Sequence, residues 1–249
     1  MSISELSGKP IERVLLLTGA AGGIGRAVLS RAREEGYRVL AVDRESAPDA
    51  AAKDQGAIWL QSDVTKDSQT EAVFEHLDTT FGRLDAVVLA AGAVGSGRVE
   101  SVTPAEFRAL LDLNLTAAFL YARLALPRLR QTRGSLIFVS STNGITGGSA
   151  LSGPAYAAAK GALIALTRHI ARDYGREGVR ANCIAPGPID TPMLARLDDE
   201  TMEALRASIP LGRIGTPEDV ANLVTFLISD RASYLTGLTV SVSGGLVMA

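Results

Sequence analysis

One junction near the amino terminus constrains the fold more than any other feature of the chain. The apolar run at residues 14–17 passes directly into Thr18-Gly19-Ala20-Ala21-Gly22-Gly23-Ile24-Gly25, and residues 26–35 that follow are helix-forming and stop at Gly36. This reads as strand, glycine turn and helix. Further apolar runs of strand length lie at residues 38–42, 58–61, 86–90, 135–140, 181–185 and 238–242, with helical segments between most of them. The runs are continuous rather than alternating, as strands covered on both faces require. The expected architecture is α/β: one doubly wound Rossmann-type domain over residues 1–249, with a mostly parallel seven-stranded sheet and helices on both faces. Thr103-Pro104-Ala105-Glu106 and Thr216-Pro217-Glu218-Asp219 each place a capping hydroxyl before proline and an acid two residues beyond it, so each marks a helix start.

Composition removes several classes of function. With 25 basic and 27 acidic residues, net charge −2, the chain has no electrostatic footprint for nucleic acid. A single cysteine, Cys183, and two distant histidines, His76 and His169, leave no internal disulfide and no metal-ligand spacing. Residues 1–12 lack the apolar core of a leader, and no apolar run approaches the ~20 residues that cross a bilayer. A cytoplasmic protein with no membrane partner is expected.

Glycines at 19, 23 and 25 fall at a strand-to-helix turn, where missing side chains let backbone approach a pyrophosphate and the helix N-terminus favours its charge. The turn lacks the Gly-Lys-Ser/Thr ending of a P-loop, so a dinucleotide fits better than a nucleoside triphosphate. Asp43 ends the second strand 18 residues after Gly25, close to the ~20 expected of an acid that binds the adenosine ribose hydroxyls. Its carboxylate would repel a 2′-phosphate, which favours NAD; Arg44, next in the chain, keeps NADP possible. Asp63, after the third strand, is either an acceptor for the adenine amine or a turn aspartate.

Tyr156 and Lys160 stand four apart and so share a helix face, with only alanines between them. About 0.08 such pairs are expected by chance, so the pair alone is suggestive. Its chemistry is definite. A phenol of pKa ~10 must approach ~7 to exchange a proton usefully with an alcohol, a cost near 4 kcal/mol. An ammonium ~4 Å away at an effective dielectric of ~20 contributes about that much.

Taken in order, these motifs resemble the short-chain dehydrogenase/reductase family over nearly all of residues 12–245. The resemblance implies a glycine cofactor motif at Thr18 to Gly25, including Ile24, and a catalytic Tyr156 and Lys160. It also implies a substrate-orienting Ser141 in Ile137-Phe138-Val139-Ser140-Ser141 and a fourth catalytic residue, Asn114, which holds a water that passes protons towards Lys160. Cofactor contacts follow at Asp43, Asp63, Val64, Ala91 and Gly92. The segment carrying Pro186, Gly187, Ile189 and Thr191 would reach the nicotinamide carboxamide. The implied activity is NAD(H)-dependent interconversion of a secondary alcohol and a ketone on a small-molecule substrate, by a homotetramer or homodimer. An NADPH-dependent 3-oxoacyl-(acyl-carrier-protein) reductase is the alternative in the same class, and a non-catalytic nicotinamide-binding protein is the alternative outside it.

The chain departs from the family pattern in three places. Leu89-Ala90-Ala91-Gly92 stands where Asn-Asn-Ala-Gly is usual, Ser141 and Tyr156 are about two residues further apart than in many members, and Ser243 replaces an aspartate. Residues 193–205, with Met193, Leu194, Leu197, Met202 and Leu205, read as an apolar lid or as packing.

Overall fold

The computed structural model describes residues 12–46 and 57–248; the stretch read for a leader lies almost wholly outside the described residues. Seven strands form one parallel sheet: β1 (Arg13–Thr18), β2 (Tyr37–Asp43), β3 (Ala57–Gln61), β4 (Ala86–Leu89), β5 (Ser135–Val139), β6 (Arg180–Pro186) and β7 (Thr239–Val242). Each lies within one residue of the run read from the sequence. The order is β3-β2-β1-β4-β5-β6-β7. Connections run outward in opposite directions from β1 and β4, which opens a crevice at their carboxyl ends.

The strands are apolar on both faces because both faces are covered. Side chains alternate along β1: Val14 and Leu16 enter one core with α2 (Asp67–Thr80), α4 (Ala117–Thr132) and α6 (Pro154–Tyr174). Leu15 and Leu17 enter the other with α1 (Gly23–Glu34) and α8 (Pro217–Ile228). Both predicted capping boxes form. Thr103 Oγ1 accepts from Glu106 N at 3.2 Å at the start of α3 (Pro104–Leu111), and Thr216 Oγ1 accepts from Asp219 N at 3.4 Å at the start of α8.

The helical stretch that begins at Pro104 is not regular. A π-helical turn, Asp112–Thr116, separates α3 from α4. The side chain of Asn114 lies against this turn and donates to the Leu110 carbonyl at 3.0 Å, a contact an undisturbed ladder does not need. By length and composition alone the helical stretch Pro104–Thr132 could cross a bilayer, contrary to the expectation from apolar runs. Tyr121, Ala125 and Leu129 on its inner face are buried against the sheet, as in a core helix.

Candidate active site

The glycine turn is shaped by contacts that leave no room for side chains. Gly19 has φ +70°, and a Cβ there would stand 2.7 Å from the Ala91 nitrogen; a Cβ on Gly25 would meet the Gly19 carbonyl oxygen at 2.0 Å. Helix α1 begins inside the motif at Gly23, three residues before the helix read from the sequence, so its first N–H groups belong to the turn itself. A Cβ on Gly23 would strike Thr191 Cγ2 at 2.5 Å, which brings the segment after β6 against the turn. Asp43 Oδ2 accepts from Ala21 N at 2.9 Å and Oδ1 from Glu45 N at 3.1 Å, so the acid ending β2 also braces the turn. A bare-backbone cradle at a helix N-terminus, with an acid beside it, fits a dinucleotide.

Asp63 closes a local turn: Oδ1 accepts from Thr65 N and Oγ1 at 2.9 and 2.7 Å, and those bonds hold its carboxyl below the ordinary value. Val64 and Ala91 line a small recess beside it with Leu113 and Tyr121. Where the usual asparagines are missing, the β1–β4 junction is closed by backbone and a threonine: Ala90 N donates to Thr18 O at 3.3 Å and Ala91 N to Thr18 Oγ1 at 3.4 Å.

Ser141 follows β5, while Tyr156 and Lys160 lie on α6; all three are buried, at 8, 8 and 4% exposure. Lys160 Nζ donates to the Val139 carbonyl at 2.8 Å and sits 5.5 Å from the centre of the Tyr156 ring. Its backbone is clamped as well, since Ser140 Oγ donates to the Lys160 carbonyl at 2.6 Å, and a Cβ on Gly144 would lie 2.6 Å from Lys160 C. Asn114 Nδ2 donates to the Ala93 and Leu110 carbonyls, leaving Oδ1 buried with no protein partner. A Cβ on Gly92 would fall 2.5 Å from that oxygen and 3.3 Å from Lys160 Nζ. The absent side chain thus lets the Asn114 amide and the Lys160 ammonium both approach the Gly92 backbone.

Burial sets the proton affinities. It lowers the Lys160 ammonium to about 8 and raises the Tyr156 phenol above its ordinary value, with hydrogen bonding from Ser141 acting the other way. The expectation that the lysine brings the phenol towards neutrality is therefore not met in the protein alone. Desolvation outweighs the Ser141 hydrogen bond, and the phenol rests as an acid.

Ile24, Gly92, Ser141, Tyr156, Lys160, Pro186, Gly187, Ile189 and Thr191 come together along one cleft of about 260 Å³. Asn114 stands behind Gly92, and Gly19, Gly25, Asp43, Asp63, Val64 and Ala91 lie at the neighbouring strand ends. Four of the five lid candidates, Met193, Leu194, Leu197 and Leu205, also line the cleft; Met202 does not. Sequence reasoning missed Val94, Leu151, Arg196 and Leu246 in the same wall, because loop residues carry no periodic signal. The bracing role of Thr18 was missed too, although its place at the end of β1 marks it. His169 faces away from the cleft, 3.2 Å from Asp173, as its helical phase requires.

A family model described as enoyl-(acyl carrier protein) reductase, within the short-chain dehydrogenases/reductases, matches residues 19–247. The chain belongs to the short-chain dehydrogenase/reductase family. It is 39% identical to L-fucose dehydrogenase of Oryctolagus cuniculus over 242 residues, 94% of this chain and 84% of that one. It is 34% identical to a 3-oxoacyl-(acyl-carrier-protein) reductase of Thermotoga maritima, covering 95% of this chain and 98% of the relative. The solved aldohexose dehydrogenase of Thermoplasma acidophilum superposes with a TM-score of 0.85 at 31% identity, over 94% of each chain. As a short-chain dehydrogenase/reductase the protein is an oxidoreductase of CH–OH groups that uses a nicotinamide cofactor.

Proposed function

We propose that the protein interconverts a secondary alcohol and a ketone with NAD(H), using Tyr156 as general acid/base. The observation that carries this is the buried convergence of Ser141, Tyr156 and Lys160 on one wall of the cleft, beside the unpartnered Asn114 Oδ1. Gly19, Gly23, Ile24 and Gly25 would hold the pyrophosphate, Asp43 the adenosine ribose, Asp63, Val64 and Ala91 the adenine end, and Gly92, Pro186, Gly187, Ile189 and Thr191 the nicotinamide end. When bound, the cofactor supplies or accepts the hydride.

The protein's own groups position the reacting oxygen and move its proton. Ser141 Oγ and the Tyr156 hydroxyl both bond that oxygen. In ketone reduction the phenol gives its proton to the carbonyl oxygen; in alcohol oxidation the phenolate takes it from the hydroxyl. Lys160, 5.5 Å from the centre of the Tyr156 ring, would stabilise the phenolate, and a water bonded to Asn114 Oδ1 would connect the ammonium to the next proton carrier. Asp43 disfavours a 2′-phosphate, and no Lys or Arg stands within the glycine turn to offset it. The similarity to L-fucose and aldohexose dehydrogenases makes the hydroxyls of a sugar one candidate substrate. The 3-oxoacyl reductase relative and the exposed Arg44 favour the second reading, an NADPH-linked reductase of carrier-bound thioesters.

The test is turnover on L-fucose, aldohexoses, simple secondary alcohols and 3-oxoacyl thioesters, each with both cofactors. Turnover with NAD(H) is expected. Asp43→Ser should weaken NADH binding and admit NADPH. A parent protein that already binds NADPH more tightly than NADH would show the role given to Asp43 to be wrong.

A further inference from the structure

Where the segment after β6 lines the cleft the wall is mainly apolar, with Met193, Leu194, Leu197 and Leu205 joined by Leu151. One charge interrupts them. Among the described residues lining the cleft there is no aspartate or glutamate, and the cations are Lys160 and Arg196. Lys160 is buried and bonded to the Val139 carbonyl, whereas Arg196 is exposed at the mouth. Arg196 is the charge an entering substrate meets first.

The Arg196 guanidinium is held in place without being neutralised. Nε donates to the Met193 carbonyl at 3.2 Å and Nη2 to the Leu151 carbonyl, on the loop that leads into α6. These two bonds leave three of the five N–H donors of the fork for another acceptor. Other surface arginines here pair with acids, as Arg13 does with Asp230, Arg128 with Asp78 and Arg213 with Asp219. Arg196 has no carboxylate partner among the described residues. The acid two residues away, Asp198, accepts from Thr201 N at 2.7 Å and caps α7 (Asp199–Ser208). A planar cation fixed by carbonyls and facing a cleft without acids matches the two oxygens of a carboxylate.

We infer that Arg196 binds a carboxylate at the end of the substrate remote from the reacting carbon, so that the substrate class is an oxo acid or the corresponding hydroxy acid. This rests on the alcohol/ketone reading of the same cleft. It also gives the Leu151 contact a purpose: the guanidinium is set before the substrate arrives.

The experiment compares 3-oxobutanoate, 4-oxopentanoate and 5-oxohexanoate with their methyl esters, a series that samples the unknown span between Arg196 and the reacting carbon. Binding to the enzyme–NAD+ complex, in which an oxo acid cannot be reduced, is measured by calorimetry, and turnover with NADH is followed at 340 nm, for the parent, Arg196→Met and Arg196→Lys. At least one acid should bind roughly 10-fold or more tighter than its ester, the range of a charge-assisted hydrogen bond. That advantage should shrink with added salt, vanish in Arg196→Met and survive in part in Arg196→Lys, with the turnover loss in KM rather than kcat. Esters that bind the parent as tightly as the acids overturn the inference. So does an Arg196→Met protein that loses acid and ester alike, which would make Arg196 a structural tie between loops. Because binding is read without turnover, acid-selective binding with no reaction would keep the carboxylate site and refute the alcohol/ketone reading.

Discussion

Replacing Lys160 with methionine should make the cofactor-free protein more stable at neutral pH. Burial takes the ammonium from an ordinary 10.5 to about 8, and at ~1.36 kcal/mol per pH unit the folded chain holds that charge at a cost of about 3 kcal/mol. Methionine fills much the same volume without the charge. It also strands the Val139 carbonyl, which loses its 2.8 Å donor, a loss of roughly 1 kcal/mol. The net gain at pH 7 is about 2 kcal/mol. Between pH 8 and 10.5 the unfolded chain binds a proton at this position that the folded one does not, so parent stability rises with pH through that window while the variant lacks the rise. The advantage of the variant should therefore fade above pH 8 and reverse by about 1 kcal/mol near pH 10.5. Burial raises the Cys183 thiol to about 11, which acts in the opposite sense, but it is present in both proteins and largely cancels in the difference. Urea unfolding followed by circular dichroism, at one protein concentration from pH 7 to 10.5, measures this. A stability difference that is the same at pH 7 and pH 10 would refute the reasoning, because the lysine would then titrate alike folded and unfolded.

Tyr156→Phe should abolish turnover and leave NADH affinity nearly unchanged, as steady-state kinetics and fluorescence titration would read. With the phenol raised by burial, alcohol oxidation in the parent should accelerate as pH rises above neutral, while ketone reduction holds its rate through neutral pH; opposite profiles in initial-rate assays would place the proton on another group. Gly25→Ala pushes a Cβ to 2.0 Å from the Gly19 carbonyl oxygen and should lower stability by about 1–3 kcal/mol, with loss of the thermal shift that NADH gives the parent. Phe119, 47% exposed on α4, should lie in a subunit interface of the proposed homotetramer or homodimer, so Phe119→Glu should reduce the mass seen by light scattering; a parent of 26.0 kDa would dismiss the assembly.

Much of this site was legible because its groups fall where periodicity changes. Gly19, Asp43, Asp63, Ser141 and Pro186 each end or follow an apolar run, and a parallel sheet brings those ends to one edge. Tyr156 and Lys160 were legible as a pair because helical spacing fixes their common face. The effect of burial at Tyr156 was not legible, since desolvation depends on what α5 (Asn143–Thr146) and β5 pack around the helix. Nor was Arg196, whose position is set by two carbonyls distant from each other in sequence. The π turn left no pattern either: Leu113-Asn114-Leu115 reads as ordinary helix until Asn114 is seen bonded to Leu110 and Ala93.

That turn limits how this protein can change in length. An α-helix advances about 100° and 1.5 Å per residue, and a π turn behaves as one residue inserted into such a helix. Deleting a residue from Asp112–Thr116 would regularise the hydrogen bonds. It would also swing either Asn114 away from Gly92 or Tyr121, Ala125 and Leu129 off the sheet. The two halves of the helix are thus indexed to different neighbours, the first to the cofactor crevice and the second to the core, and the irregular turn carries the offset. Insertions and deletions of the kind a surface loop can absorb should be selected against here, even where every substituted residue remains a good helix former.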